Sequence, residues 1–377
     1  MRRAGIACLA LAVVLALTIV IAWARYQPAV WLEEYAVLRS QMANHYANLD
    51  WMVQHRKVDL PRLARETEAG LSSAFSSWQA GRALQRFITT FNDPHLKMVK
   101  LSDPPAAGGG QASSEKTGCA ERGFHVRDRS FRFPFEQADG WKKAGGAWFP
   151  AGSFGDVAVL RVAHFGEDGY REACDEVGVA GVRERLTQEI RSTINELRTR
   201  QARVLVVDIS GNGGGTEWVT HVTRLLTSKE LKRPGARMAE PACDRTAIWE
   251  GAAVCPGLAE AEESTMQGEG AWDAALALLV DRRTASASED MVVWLRESRA
   301  ARIIGQPTYG AGCGYVRGGA PARLEKIGWE VKMPNCARFT SDGINEIEGI
   351  RPDVELSITE GSASERLAGL MKALEGI

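Results

Sequence analysis

At 377 residues, with 45% hydrophobic and 25% charged residues and a formal net charge of −1, the chain has ordinary globular composition and length for two to three domains. Lys and Arg are scattered among Asp and Glu with no basic tract, which excludes an electrostatic footprint for nucleic acid and leaves a peptide, a protein or a small molecule as partner.

The first segment differs from the rest. Arg2 and Arg3 precede an apolar run from Ile6 to Trp23, broken only by Thr18. About 18 such residues can cross a bilayer as a helix, and the two arginines place the N-terminus in the cytoplasm. Residues 1–26 read as an uncleaved signal anchor, since the run is long for a signal-peptide core. Ala22-Trp23-Ala24 resembles an A-x-A cleavage site and keeps a removable signal peptide open. Either way the rest of the chain is expected outside the cytoplasm. It is either held at an inner membrane, facing the periplasm or extracellular side, or exported. Cys8 lies in the run. The other six cysteines (Cys119, Cys174, Cys243, Cys255, Cys313 and Cys336) suit disulfides in an oxidising compartment. Six cysteines allow 15 connectivities, of which nearest-neighbour pairing is one. No Cys/His cluster has zinc spacing, so neither a metal nor a cofactor is expected.

Residues 27–100 read as a helical domain. Trp31, Tyr35, Leu38, Met42 and Tyr46 recur at three- and four-residue spacing, Pro61 suits a helix start after Asp59, and Leu84, Phe87, Ile88 and Phe91 continue the pattern. Residues 101–155 read as a linker, Pro/Gly/Ser-rich over 103–118, then a small irregular or β segment with strand-like pieces at 123–135 and 147–149. From 156 to 377 the chain alternates strand and helix. Residues 157–162, 204–207, 275–280 and 302–304 are buried-strand runs. Val182, Leu186, Ile190, Ile194 and Leu197 form one helical stripe. Gly-rich turns beyond Gly310 suggest hairpins before a terminal helix.

Three places could carry chemistry. Ser286 sits on a strand-to-helix turn, where a side chain projects from a bend and free helix N–H groups face an oxyanion. Ser288 is the rival, as a helix N-cap with Glu289 and Asp290 in the first turn. The run Gly211–Gly215 joins a buried strand to a helix. It reads as an oxyanion loop, a phosphate cradle or a simple packing turn, although no G-x-x-x-x-G-K-[ST] is present. His95 follows Asp93-Pro94. Of the other histidines, His45 and His55 look like helix-surface residues, and His164, after a strand, is its main competitor.

Taken in order, FNDPHLKM, VAVLRVAHF, VVDISGNGGG, TASASE with IIGQPTYGAG, and EIEGIRPDVEL resemble five motifs of the tail-specific protease superfamily, peptidase family S41, across roughly residues 30–360. The resemblance implies an α/β fold with a crotonase/ClpP-like core behind an N-terminal helical domain. It implies Ser286 as nucleophile, with the backbone N–H of Ala287 and of Gly213 or Gly214 as oxyanion donors. The lysine of the bacterial Ser/Lys dyad would stand at Ala311 and is absent. No lysine occurs between Ser286 and Lys326. Lysine-lacking members resembling the tricorn core use Ser-His-Glu, which here implies His95 as base and Glu346, or alternatively Glu348, to orient it. Pro94 stands where tricorn-like members carry a serine, and the DGHT-like motif reads Asp93-Pro94-His95-Leu96. The interval 101–156 is short for a PDZ domain, so none is expected.

The expected function is that of a serine-type peptidase working through an acyl-enzyme. Two alternatives stand beside it. One is a non-catalytic binding module on the same fold, as in retinoid-binding members of the superfamily. The other is an esterase-like acyl hydrolase using the same residues.

Overall fold

The computed structural model describes residues 26–101 and 118–377. The apolar run, and the proposed linker apart from Gly118, lie outside the described residues. The chain forms two compact units.

The first unit gathers three stretches, within residues 26–101, 237–260 and 314–337. Helix α1 (Pro28–His45) starts on a proline and buries Trp31, Tyr35, Leu38 and Met42 on one stripe. Helix α2 (Leu60–Ser72) is capped by Asp59, whose carboxylate accepts the Arg62 N–H at 2.9 Å. Helix α3 (Ser77–Thr90) buries Ala80, Ala83, Leu84, Phe87 and Ile88, with Phe87 edge-on to Tyr35 at 5.1 Å. Strand Lys97–Lys100 pairs antiparallel with Trp329–Lys332, which pairs in turn with Ala322–Leu324. The expected 156–377 core therefore does not hold together as one unit. The physical ties are specific: buried Arg245 pairs with Asp50, the Gly257 N–H donates to the same carboxylate at 2.9 Å, and the Trp249 indole donates to the Arg39 carbonyl at 2.8 Å.

The second unit is built on a seven-stranded mixed sheet: β1 (Lys142–Ala144), β2 (Ala151–Phe154), β3 (Val157–Arg161), β4 (Val204–Asp208), β5 (Ala275–Val280), β6 (Arg302–Gly305) and β7 (Val354–Glu355). Its spatial order follows the chain, with β1–β2–β3 antiparallel and β3 to β7 parallel. Helices α4 (Val182–Thr199), α5 (Trp218–Leu225) and α6 (Ala287–Glu297) link successive parallel strands. Right-handed crossovers in a sheet of unbroken order put all three on one face. There Leu160, Leu205, Val207, Leu278 and Val280 meet Leu186, Ile190, Val222 and Met291. The alternate strand residues Val159, Val206, Ala277 and Leu279 face the other way, against Phe133, Phe135 and helix α7 (Ala363–Leu374). The central strands are thus buried on both faces, which is why they read as continuous apolar runs.

Residues 123–135 form no strand, and 147–149 precede one rather than form one. Phe133 and Phe135 are buried as sheet-covering side chains, and Pro134 between them has no N–H to give a ladder. The pieces that do pair are β1 and β2, an edge hairpin. Among the described residues, 118–156 makes no separate domain. Cys119–Cys174 and Cys243–Cys255 are bonded, each within one unit, and Cys313 and Cys336 are disulfide-bonded as well.

Candidate active site

Where β4 ends, Asp208 turns its buried carboxylate back on the loop that follows. Its Oδ1 accepts from the Ser210 N–H (2.9 Å) and hydroxyl (2.6 Å) and lies 3.0 Å from the Arg161 guanidinium. Arg161 also donates to the Ser210 carbonyl at 2.7 Å. The pair is dry on both sides, so removing either partner leaves an uncompensated charge, at a cost of about 3–5 kcal/mol. The glycine loop thus starts from a fixed point. Its next contacts bring it to the sheet's neighbouring strand end: Gly211 donates to Asp281 at 2.7 Å, and the Asn212 carbonyl accepts from the Ala285 N–H at 3.0 Å.

Gly214 lies where only glycine fits. Its φ is +99°, and a Cβ there would come within 2.7 Å of the Ala285 carbonyl and 2.9 Å of the Ala287 nitrogen. The same built atom would lie 2.9 Å from the Ser286 Cβ, so the loop backbone touches the serine turn. The Gly214 N–H is committed to the Asn212 side chain at 2.9 Å. Among the described residues, the Gly213 N–H has no acceptor, and the residue is exposed. Ala287 is the first residue of α6, so its N–H also lacks an intrahelical acceptor.

Ser286 is the N-cap of α6, at φ +57° and ψ −117°. A non-glycine residue there carries strain of about 1–3 kcal/mol. The helix does not start at Ser288, which is buried inside its first turn. What holds Ser286 in place is Glu289, a residue that reads in sequence as a first-turn acid. One Glu289 oxygen accepts from the Ser286 N–H (2.8 Å), the Ala311 N–H (2.9 Å) and the Gly312 N–H (3.2 Å). The other accepts from the Thr308 hydroxyl (2.6 Å) and the Gly310 N–H (2.7 Å). Burial pushes this carboxyl upward in pKa while the donors, Thr308 foremost, oppose the shift. The spacing Ser-x-x-Glu is the one signal that could have marked it.

A second charged group stands behind the turn. Both oxygens of fully buried Glu346 are engaged, one with Arg233 and the other with Arg338 at 2.7 Å. Each arginine also meets Asp290, Arg338 at 2.8 Å. Arg338 further reaches the Gly312 carbonyl at 3.2 Å and the Ser286 carbonyl at 3.4 Å. Two arginines and two carboxylates make this cluster neutral. Glu348, the alternate, lies at the end of the same turn. Ala311 is buried.

His95 belongs to the helix-bearing unit. Its N–H donates to Asp93 at 2.9 Å, its carbonyl accepts from the Tyr315 phenol, and its half-buried ring stands edge-on to Tyr315 at 5.4 Å. Asp93 is itself gripped by the Tyr46 phenol and the Asn48 amide, each at 2.9 Å. His164 lies in the sheet-bearing unit, as Ser286 does. It is buried, stacked on Tyr170 at 5.7 Å, and takes the Gly166 N–H on Nδ1. Burial, with Arg127 nearby, lowers its pKa to about 4, so it is neutral and a weak base at physiological pH. His45, His55, His125 and His221 are exposed. No cluster of metal-ligating residues occurs among the described residues.

The chain matches the model of peptidase family S41 over residues 156–356. Among solved structures, mature CPAF aligns with a TM-score of 0.63 at 14% identity, covering 92% of this chain and 96% of that one. A candidate peptidase from Parabacteroides merdae ATCC 43184 aligns at 0.61 and 13%, covering 92% and 97%. At such identities the likeness is one of fold, and it agrees with a mixed α/β sheet accompanied by N-terminal helices. No curated protein matches the sequence.

Proposed function

This chain belongs to peptidase family S41, and on that premise we propose that it hydrolyses peptide bonds through an acyl-enzyme on Ser286, with His95 as general base. At family level it is a serine peptidase. The observation that carries the finer reading is the strained turn at Ser286, with the N–H groups of Ala287 and Gly213 left without acceptors beside it. In this reading the Ser286 hydroxyl oxygen attacks the scissile carbonyl as His95 takes its proton. The two N–H groups hold the oxyanion. His95 then returns the proton to the leaving amine, and water, deprotonated by the same imidazole, releases the acyl group. Glu346 orients the imidazole through lone pairs that its two arginines leave, since each carboxylate oxygen offers two. The reaction takes place outside the cytoplasm, a location supported by the disulfides and by the N-terminal apolar run.

One observation favours the rival reading, a binding module: each carboxylate oxygen of Glu346 already holds an arginine. Labelling by a fluorophosphonate probe separates the two. Wild type should label, and Ser286→Ala and His95→Ala should not. A folded wild type that takes no label would overturn the peptidase reading, as would a His95→Ala variant that labels at the wild-type rate.

A further inference from the structure

The helix-bearing unit carries a groove of about 960 Å³ that the proposed chemistry does not use. Its walls are α1, α3 and the strands beside them, and its apolar lining is led by Trp31, Trp78 and Trp329. Trp78 is 67% exposed, and Phe75, three residues earlier, is 45% exposed. Large aromatic side chains left in water at the start of one helix need a reason, because burying them is worth more than most surface contacts.

The rim is cationic. Arg82, Lys100 and Lys326 line the groove. Lys326 pairs with Glu33. Lys100 lies over the Trp329 ring at 3.8 Å and Arg82 over the Trp78 ring at 5.0 Å, and among the described residues neither has a carboxylate partner. Tryptophan with Lys or Arg, one end apolar and the other charged, is the composition found at the headgroup level of a bilayer.

The chain's own connectivity selects that occupant. Gln27 lines the groove, four residues beyond the end of the apolar run at Trp23. Four extended residues reach at most about 14 Å, and the headgroup layer is roughly 5–8 Å thick on each side of the hydrocarbon. On the sequence expectation that residues 6–23 cross the bilayer, this short tether keeps the groove within reach of the headgroups.

We propose that the groove around Trp78 docks on an anionic phospholipid surface, with Arg82 and Lys100 meeting headgroup phosphates and Trp78 entering the acyl boundary. The proposal concerns how the protein is held at the membrane and is independent of whether Ser286 is active. Each such cation near an anionic surface is worth about fivefold in binding.

The test uses the full chain, with Trp23→Phe as background, placed in nanodiscs of phospholipid brominated near the top of the acyl chains. The discs are made of phosphatidylcholine alone or of phosphatidylcholine mixed with phosphatidylglycerol. Bromine should quench part of the tryptophan emission in the mixed discs, and Trp78→Phe should remove most of that part. Arg82→Gln with Lys100→Gln should lower quenching to the level in phosphatidylcholine discs. These side chains are on the surface, and circular dichroism melts confirm folding. An unchanged quenched fraction in Trp78→Phe would overturn the proposal. So would recovery of a chain that has lost its N-terminal run and stays out of the discs, or a cross-link between two chains through Trp78→Cys, which would make the occupant a second copy.

Discussion

Replacing Ser286 by glycine should give a more stable protein than replacing it by alanine. Both variants lack the hydroxyl, so both lose acyl transfer, and the comparison isolates the backbone. At φ +57° and ψ −117° alanine keeps the Cβ and with it the strain, whereas glycine occupies that region freely. Relief of strain contributes about 1–3 kcal/mol. Glycine's greater freedom in the unfolded chain takes back about 0.5–1 kcal/mol. The net gain is about 1 kcal/mol, which at a urea slope of about 3 kcal/mol/M moves the midpoint by about 0.3 M. Urea unfolding of the two variants, followed by circular dichroism and by tryptophan emission, measures it. If two transitions resolve, the shift belongs to the one that reports the sheet. A glycine variant no more stable than the alanine variant would refute the idea that this turn stores strain.

Two further outcomes follow from buried charge. Arg338→Met should destabilise by about 3–5 kcal/mol, because Glu346 and Asp290 lose a partner, and it should also slow fluorophosphonate labelling, because the Ser286 and Gly312 carbonyls lose their shared donor. A melt with labelling kinetics reads both, and a variant with wild-type values for each would show the cluster to be incidental. For His164, the folded pKa of about 4 lies below the ordinary histidine value of 6.5, so the unfolded chain binds a proton first as pH falls. The stability this neutral ring contributes is complete above pH 6.5 and declines towards pH 4. His164→Gln should flatten that part of the stability curve, and an unchanged slope would mean that another group titrates there.

Most of the sheet was legible because its signals are local. The runs at 204–207 and 275–280 lie on strands buried on both faces, and the stripe from Val182 to Leu197 is the buried side of one amphipathic helix. The edge hairpin β1–β2 escaped because three- and four-residue strands leave no period to read. The serine turn was legible as strand, small residues, helix. The Glu289 clamp was not, because its donors at 308–312 are brought to it only by folding. Of the two arginines around Glu346, Arg233 lies on a strand 113 positions away and Arg338 in a loop eight positions before it, and no motif spacing announces them. The make-up of the helix-bearing unit is the same problem at larger scale: Arg245 meets Asp50 across 195 positions, and each looks like an ordinary surface charge in its own stretch.

That discontinuity bears on how the protein is made. The helices of α1 to α3 leave the ribosome early, yet their unit is incomplete until residues 237–260 and 314–337 have followed. Close to 250 residues separate the end of α3 from the last of them, which at about 5–20 residues per second is a wait of roughly 12–50 s. During that interval Tyr35, Leu38, Phe87 and their neighbours lack part of their final cover. Holding factors that shield apolar faces, and oxidation that closes Cys243–Cys255 only after residue 255 arrives, would govern yield more than final stability does. The architecture thus sets a timetable for biogenesis, with the earliest-made part among the last to finish.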